Sequence, residues 1–419
     1  MVKTTRRAVM AGAAVASFGL AGRAAADQQA VKIGAIYPLS GNSASAGNYE
    51  KMAIEFGADI VNNGNADLAK VLPLAKGGGL PGLKGAKIEM IFADNQGTPA
   101  AGQNQALRLI TQEKVVALLG CYQSGITLTA SAIAEKYGIP FVNPESTAST
   151  LTERGFKWFF RTTPVASDFA KAYSNFLKAQ KAAGHKVDSI AIVHENTEYG
   201  NSVATVLASV FGKEGLNISQ KIAYSANSTD VQPQVLQLKE KKPDVAIFIS
   251  YTSDAILYAK TMKALNWKPA ILIADDSGFN DPAYVKEMGS ESEGLISRSV
   301  FASGKPGSVA AICDALFKKK TGGSGLDDVS ARALQGFLVL ADAINRASST
   351  QPAKIQAALR ATDLKPDQLV AGYEGVKFDD KGQNVLASTL LTQLRNSQYV
   401  SVWPKSRATH ELILPYKGW

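Results

Sequence analysis

A chain of 419 residues, 46% of them apolar, is long enough to bury the cores of two ordinary domains. Its formal net charge is +9, and four of the positive charges lie within residues 1–26, which leaves a mildly basic remainder of +5. Basic and aromatic residues do not alternate as they do in single-strand binders, and the Lys-rich segment 238–244 contains its own acids. We therefore expect no nucleic-acid partner.

Residues 1–26 have the layout of an export signal. A basic start is followed by an apolar run at 8–22 and by three alanines before Asp27. The arginine pair in "TTRRAVM" is typical of a twin-arginine signal. The run is shorter than the roughly 20 residues that span a bilayer. We predict export, with cleavage after Ala26.

Beyond the signal, apolar segments rich in Ile, Val and Phe alternate with segments of helical periodicity. The predicted strands are 31–39, 87–94, 115–120, 140–144, 189–195, 220–225, 245–251 and 270–276. The predicted helices include 48–63, 101–113, 124–138, 168–184 and 253–266. This alternation predicts an α/β fold whose parallel sheets carry helices on both faces. The spacing changes around 159–165, which we interpret as a crossing between two lobes.

Signals for a metal or a nucleotide are weak. The chain has three histidines, and none of them forms an HExxH motif or a Cys/His ligand spacing. The glycines of segment 75–85 do not match a phosphate-binding loop, so this segment is interpreted as a connection. We predict neither a metal nor a cofactor.

A secreted serine hydrolase is a remote alternative. Ser124 would be its nucleophile and His194 its base, but Ser124 lacks the GxSxG pattern of a nucleophile elbow. Cys121 and Cys313 are far apart in the sequence, and we expect them to be buried free thiols.

Two predicted strands are each followed by a small hydroxyl residue at the predicted start of a helix. Ser124 comes after the strand that ends at Gly120, and Thr147 comes after strand 140–144. In open parallel sheets ligands bind beyond the carboxyl ends of the strands, where helix N-termini offer free N–H groups. Both residues are therefore candidates for seating a ligand carboxylate, and both could equally be ordinary N-caps.

Several stretches resemble the leucine/isoleucine/valine-binding family, the periplasmic receptors of branched-chain amino acid ABC importers. They are "VKIGAIYPLSGNSASAGNYEKMAIEFGADIVN", "GIPFVNPESTASTLTERGFKWFFRTTP", "IAIVHENTEYG" and "EGVKFDDKGQN". The resemblance implies two Rossmann-like lobes joined by a three-crossover hinge that close around one small molecule. The expected lobes are 31–161 with 300–380 and 162–299 with 381–410. It further implies a monomer in the periplasm that serves a membrane permease and is not an enzyme.

The family's ligand-binding positions correspond to Ser124, Glu145, Thr147, Tyr199, Tyr251 and Asp276. By this resemblance the serine and the threonine bind the ligand carboxylate, and Glu145 supplies a backbone carbonyl. The two tyrosines come from the second lobe. Asp276, or Asp275 if the register differs by one, pairs with the ligand's ammonium group. This set favours an amino acid.

The sequence also departs from the family, and the departures leave the ligand open. The cysteines that often form a disulfide correspond to Gln96 and Gln123, the residue near Ala46 is not aromatic, and the loop at 65–85 is longer than usual. Relatives on this scaffold bind benzoate-like or cinnamate-like acids. An aromatic acid could stack on side chains of the second lobe and its neighbours: Tyr122, Tyr199, Tyr251 and Phe279. A receptor for signalling, in place of import, would have the same site.

Overall fold

The computed structural model describes residues 30–275 and 277–419, and of Ser277 only the backbone. The predicted export signal, 1–26, lies outside these residues, so its cleavage after Ala26 stays a prediction. Within the described residues, no helix combines the length and apolar character needed to cross a membrane. The chain forms two α/β lobes, each built on its own sheet.

Five parallel strands form the sheet of the first lobe. They are β1 (Val31–Tyr37), β2 (Ile88–Asp94), β3 (Ala117–Gly120), β4 (Phe141–Asn143) and β5 (Phe159–Arg161), in the order β2-β1-β3-β4-β5. The helices that follow the first three strands are α1 (Ala44–Asn63), α2 (Pro99–Thr111) and α3 (Ser124–Tyr137). All residues of β3 and β4 are buried, because helices cover both faces of a parallel sheet.

The second lobe contains a seven-stranded sheet. Its parallel strands are β6 (Ile190–Glu195), β7 (Ile218–Tyr224), β8 (Val245–Ile249), β9 (Ile271–Ala274) and β10 (Ile296–Ser299). Its helices are α4 (Ala166–Ala182), α5 (Glu198–Lys213), α6 (Gln232–Lys241), α7 (Thr252–Ala264) and α8 (Pro282–Met288).

After β10 the chain returns to the first lobe and then crosses back. The returning elements are α9 (Val309–Thr321), α10 (Asp328–Ala347), α11 (Pro352–Arg360) and a small pair, β11 (Asp363–Leu364) with β12 (Val376–Lys377). Helix α10 lies against α1 so closely that a Cβ at Gly57 would be 2.7 Å from the Phe337 ring. The last strands, β13 (Leu390–Arg395) and β14 (Gln398–Trp403), join the second sheet in the order β14-β13-β10-β9-β8-β6-β7.

The first and third crossings are hydrogen-bonded to each other at the end of β5. The backbone N–H of Arg161 donates to the Gly382 carbonyl, and the N–H of Asn384 donates to the Arg161 carbonyl. The Arg161 side chain also donates to Gln383 Oε1 at 2.6 Å. These bonds tie the two segments into one hinge.

The predicted fold class is confirmed, with one correction to the second sheet. That sheet is mixed, because β13 pairs antiparallel with β10 and β14 antiparallel with β13. The hairpin turn of β13 and β14 holds Asn396 and Ser397 at φ 49° and 58°, as a two-residue hairpin turn of type I′ requires. The eight predicted strands are all present with slightly different ends, whereas β5 and β10 to β14 were not among the predicted strands. The residue boundaries expected for the two lobes stay a prediction. Both cysteines are buried and free, as expected.

We expect Phe337→Ala to lower the free energy of unfolding by about 3–5 kcal/mol, because it removes a fully buried ring between α10 and α1. Urea denaturation measures this loss. The control is Leu107→Ala on α2, where the side chain is 38% exposed and the change should be small. Equal midpoints for the two variants would contradict the proposed packing.

Candidate ligand-binding site

A small cavity lies where the loops after the strands of both lobes meet. Its lining comprises Tyr122, Ser124, Glu145, Ser146, Thr147, Tyr199, Tyr251, Arg298 and Arg332. Five of the six predicted site residues are in this set. The sixth, Asp276, lies outside the described residues. The remaining four lining residues were not among the predicted site residues.

On the first lobe, two loops bring Ser124 and Thr147 together. Ser124 is the first residue of α3, and its Oγ accepts a hydrogen bond from the Ala148 N–H at 3.4 Å. Thr147 is 2% exposed, and its Oγ1 has no hydrogen-bond partner among the described residues. Ser146 fixes the loop by donating to the Tyr122 carbonyl at 2.9 Å. The result is a hydroxyl and a helix N-terminus that face the same cavity.

The role of Glu145 as a backbone acceptor for the ligand stays a prediction. Its carbonyl oxygen accepts a hydrogen bond from Arg332 Nη1 at 3.0 Å. Its carboxyl group accepts from the Tyr37 hydroxyl at 3.0 Å, and burial raises its pKa to about 8 against the opposing effect of Arg332. Arg332 itself forms a buried ion pair with Asp328 at 2.6 Å.

On the second lobe, two tyrosines lie at helix starts. Tyr199 is the second residue of α5, and Tyr251 is the N-cap residue of α7. The Tyr251 ring packs between Tyr199, at a centroid distance of 5.3 Å, and Tyr122 of the first lobe, at 5.7 Å. Phe279, considered above as a stacking residue, packs instead against Tyr284 at 5.1 Å in the second-lobe core. Aromatic surface therefore reaches the cavity from both lobes.

Asp275 takes part in a buried ion pair that sequence reasoning missed. Its carboxylate is 3.1 Å from Arg298 Nε, and both side chains are essentially unexposed. The same carboxylate accepts hydrogen bonds from the hydroxyls of Tyr173, at 2.7 Å, and Tyr199, at 2.8 Å. The Arg298 guanidinium also lies 3.6 Å from the centroid of the Phe169 ring. No local pattern in the segment "LISRSV" indicates this pair, because Asp275 lies 23 residues before Arg298 in the sequence.

The pair required for a hydrolase does not form. The ring of His194 donates from Nδ1 to the Glu195 carbonyl at 3.0 Å, and it is not part of the cavity lining. Within the described ranges no hydrogen bond joins it to Ser124.

The chain belongs to the periplasmic binding protein family, whose profile matches residues 30–398. It is 29% identical over 410 residues to Leu/Ile/Val-binding protein homolog 7 of Brucella suis, covering 94% of this chain and 96% of that protein. The branched-chain amino acid transporter substrate binding protein LivJ of Streptococcus pneumoniae, in complex with isoleucine, is structurally similar at a TM-score of 0.74. Its sequence is 21% identical, and the match covers 92% of this chain and 100% of that one.

A third similar protein is an ABC transporter solute binding protein of Rhodopseudomonas palustris in complex with benzoate. It has a TM-score of 0.74 and 17% identity, and the match covers 93% of this chain and 98% of that one. Both structural likenesses concern the fold. Family members are solute-binding proteins, so the chain is a binding protein and not an enzyme.

We expect Arg298→Met to lower the free energy of unfolding by about 3–5 kcal/mol, because it leaves the Asp275 carboxylate buried without its cation. The double variant Asp275→Asn with Arg298→Met removes both charges and should recover more than half of that loss. Urea denaturation of the wild type, both single variants and the double variant gives the coupling free energy. Simple additivity of the two losses would show that the charges do not stabilise each other.

Proposed function

We propose that the chain is the solute receptor of an ABC importer and captures an amino acid with an apolar side chain between its lobes. The proposal rests on Ser124 and Thr147, which we call the carboxylate seat. Thr147 Oγ1 is buried without a partner among the described residues, and it lines the same cavity as Ser124 at the start of α3. A ligand carboxylate would accept hydrogen bonds from both hydroxyls and from the N–H groups of the first helical turn. The names of the Brucella relative and of the isoleucine complex support this ligand class.

The second lobe would complete the site. Tyr199 and Tyr251 bring apolar ring surface and further helix N-termini to the cavity. In this proposal the ligand's ammonium group pairs with Asp276, the residue that the family resemblance indicates. Asp275 is the poorer candidate, because its carboxylate already accepts hydrogen bonds from a guanidinium and two phenols.

A specific observation favours a second candidate, an aromatic carboxylic acid. The charge of Asp275 is already balanced by Arg298, so within the described residues this carboxylate does not require a ligand cation. Three tyrosine rings line the cavity, and they offer the edges and faces that a benzoate-like ring packs against. The benzoate complex of the Rhodopseudomonas palustris protein supports this candidate.

Capture would proceed by closure without covalent chemistry. Hydrogen bonds already cross the cleft, from Thr150 Oγ1 to Glu198 at 2.7 Å and from Ser45 Oγ to Asp281 at 2.5 Å. A ligand that contacts both lobes shifts the equilibrium toward this closed form. We propose that a monomer in the periplasm presents the closed form to a membrane permease. If the receptor serves signalling in place of import, the signalling partner would recognise the same closed form.

The first test is a thermal-shift screen of residues 27–419 against the amino acids and a panel of benzoates and cinnamates. A ligand that binds only the native state raises the melting temperature by mass action. We expect a rise with isoleucine-like amino acids that Asp276→Ala abolishes. A rise with aromatic acids alone, unaffected by Asp276→Ala, would establish the second candidate. No rise with either panel would show that the proposed ligand class is wrong.

We expect Ser124→Ala and Thr147→Val each to weaken binding of the ligand found in that screen about 10- to 100-fold, because a hydrogen bond to a charged group contributes about 1.5–3 kcal/mol. Isothermal titration calorimetry measures the change. Thr129→Ala is the matched control, since this residue of α3 donates to the Pro99 carbonyl and does not line the cavity. An unchanged affinity in both site variants would refute the carboxylate seat.

A further inference from the structure

One of the hydrogen bonds that cross the cleft ends on a completely buried carboxylate. Asp281 is 0% exposed, and its Oδ1 accepts from the Ser45 hydroxyl of the first lobe at 2.5 Å. Within the second lobe the same carboxylate accepts from the Ala283 N–H and from the Thr252 hydroxyl, both at 2.7 Å. No cation of the described residues forms an ion pair with Asp281. Its negative charge therefore depends on hydroxyl and backbone N–H donors.

These donors belong to the first turns of three helices. Ser45 is the second residue of α1, Thr252 is the first residue of α7, and Asp281 is itself the N-cap of α8. Free N–H groups give each helix start a partial positive charge, which stabilises a nearby anion. Helices α7 and α8 belong to the second lobe, whereas α1 belongs to the first. Closure therefore brings a third helix N-terminus to a carboxylate that two others already hold.

The loop before Asp281 is fixed to the second lobe. Asn280 Nδ2 donates to the Arg298 carbonyl of β10 at 3.0 Å, and the Tyr399 hydroxyl of β14 donates to the Phe279 carbonyl at 2.8 Å. These bonds come from two strands of the second sheet and do not involve the first lobe. The carboxylate is therefore already oriented when the lobes meet, so little ordering remains to oppose its bond to Ser45.

The start of α1 is equally fixed to the first lobe. A Cβ at Gly47 would be 2.1 Å from the Pro38 carbonyl oxygen, so α1 begins in close contact with the end of β1. Asp94 Oδ1 accepts from the N–H groups of Leu39 and Ser40, at 2.9 Å and 3.2 Å. Since each partner of the crossing bond is held by its own lobe, separation of the lobes must break that bond.

We propose that Ser45 and Asp281 form a closure latch, a hydrogen bond that stabilises the closed form whatever the ligand is. Neither residue lines the cavity, so the bond contributes the same free energy to closure with every ligand. Both are positioning residues: the residues that line the cavity would select the solute, and the closure latch would set how long the closed form lasts. The effect on ligand release rests on the proposed function, whereas the effect on the lobes does not.

The closure latch is tested first without ligand, by small-angle X-ray scattering of residues 27–419. Ser45→Asp places a second carboxylate opposite Asp281, and the loss of a hydrogen bond to a charged group should lower the closed fraction about 10-fold or more. We therefore expect a larger radius of gyration than in the wild type. Exchanging the partners, Ser45→Asp with Asp281→Ser, again sets a hydroxyl opposite a carboxylate, and serine is a good N-cap for α8. The exchange should restore the wild-type radius.

The matched control is Ser40→Ala. Ser40 Oγ donates to Asp94 Oδ2 at 2.6 Å, which is the same hydroxyl-to-carboxylate bond, but it stays within the first lobe. Its radius of gyration should equal that of the wild type. Melting temperatures show that each variant is folded, and Ser45 is exposed, so its replacement takes nothing from the core. Equal radii for wild type and Ser45→Asp, or the same expansion in Ser40→Ala, would overturn the closure latch.

The effect on ligand release is tested by stopped-flow dissociation, with L-isoleucine, L-leucine and benzoate as probes. We expect Ser45→Ala to raise the dissociation rate about 10-fold, by the same factor for each probe that binds, because the lost bond does not contact the ligand. An unchanged rate, or factors that differ from probe to probe, would contradict the proposal. If the wild type binds none of the probes, the proposed ligand class is wrong, and the scattering experiment alone decides whether the closure latch acts.

Discussion

The parallel strands of both sheets end at the same cavity, and the rest of the site depends on this constraint. Ser124 and Thr147 follow β3 and β4, whereas Tyr199 and Tyr251 follow β6 and β8. Each of these strands is succeeded by a helix or helical turn whose free N–H groups lie near the cavity, so partial positive charge accumulates there without an exposed cation. Because the hinge lies between β5 and β6, the two halves of the site belong to different lobes. A ligand can use the whole site only by holding the lobes together.

The side chain of Arg161 connects the loop after β4 to the hinge. Its guanidinium donates to the carbonyl of Ala148 at 2.7 Å and to Thr152 Oγ1 at 2.9 Å, and its Nε donates to Gln383. It is completely buried, and desolvation lowers its pKa to about 9. The guanidinium also donates to the Ser146 carbonyl at 3.4 Å, so the carbonyls on both sides of Thr147 are held by a residue that also bonds the third crossing. The proposed carboxylate seat and the hinge are therefore linked through this one side chain.

The sequence was sufficient for eight of the strands and five of the helices, because a parallel sheet covered on both faces leaves long apolar runs separated by helical periods. Ser124 and Thr147 could be found from their place after such runs, and Tyr199 and Tyr251 from the family resemblance. Arg298 could not, since its partner Asp275 lies 23 residues away and only the fold brings them together. Arg332 and Asp328 are spaced i,i+4 on α10, which on a surface helix is an ordinary ion pair. In both cases burial distinguishes the ion pair from an ordinary surface pair, and no local sequence pattern shows burial.

Charge balance at the cavity explains why family membership alone leaves the ligand class open. Both guanidinium groups in the lining are neutralised by carboxylates of the protein, so the described wall carries ion pairs and no fixed excess of either sign. In the proposed site a ligand carboxylate would accept hydrogen bonds from hydroxyls and helix N-termini, and the three tyrosine rings of the lining would pack against an aliphatic or an aromatic group. Discrimination between an amino acid and an aromatic acid must then come from a group whose negative charge can balance a ligand cation. In the proposed function, Asp276 is the group that supplies this charge.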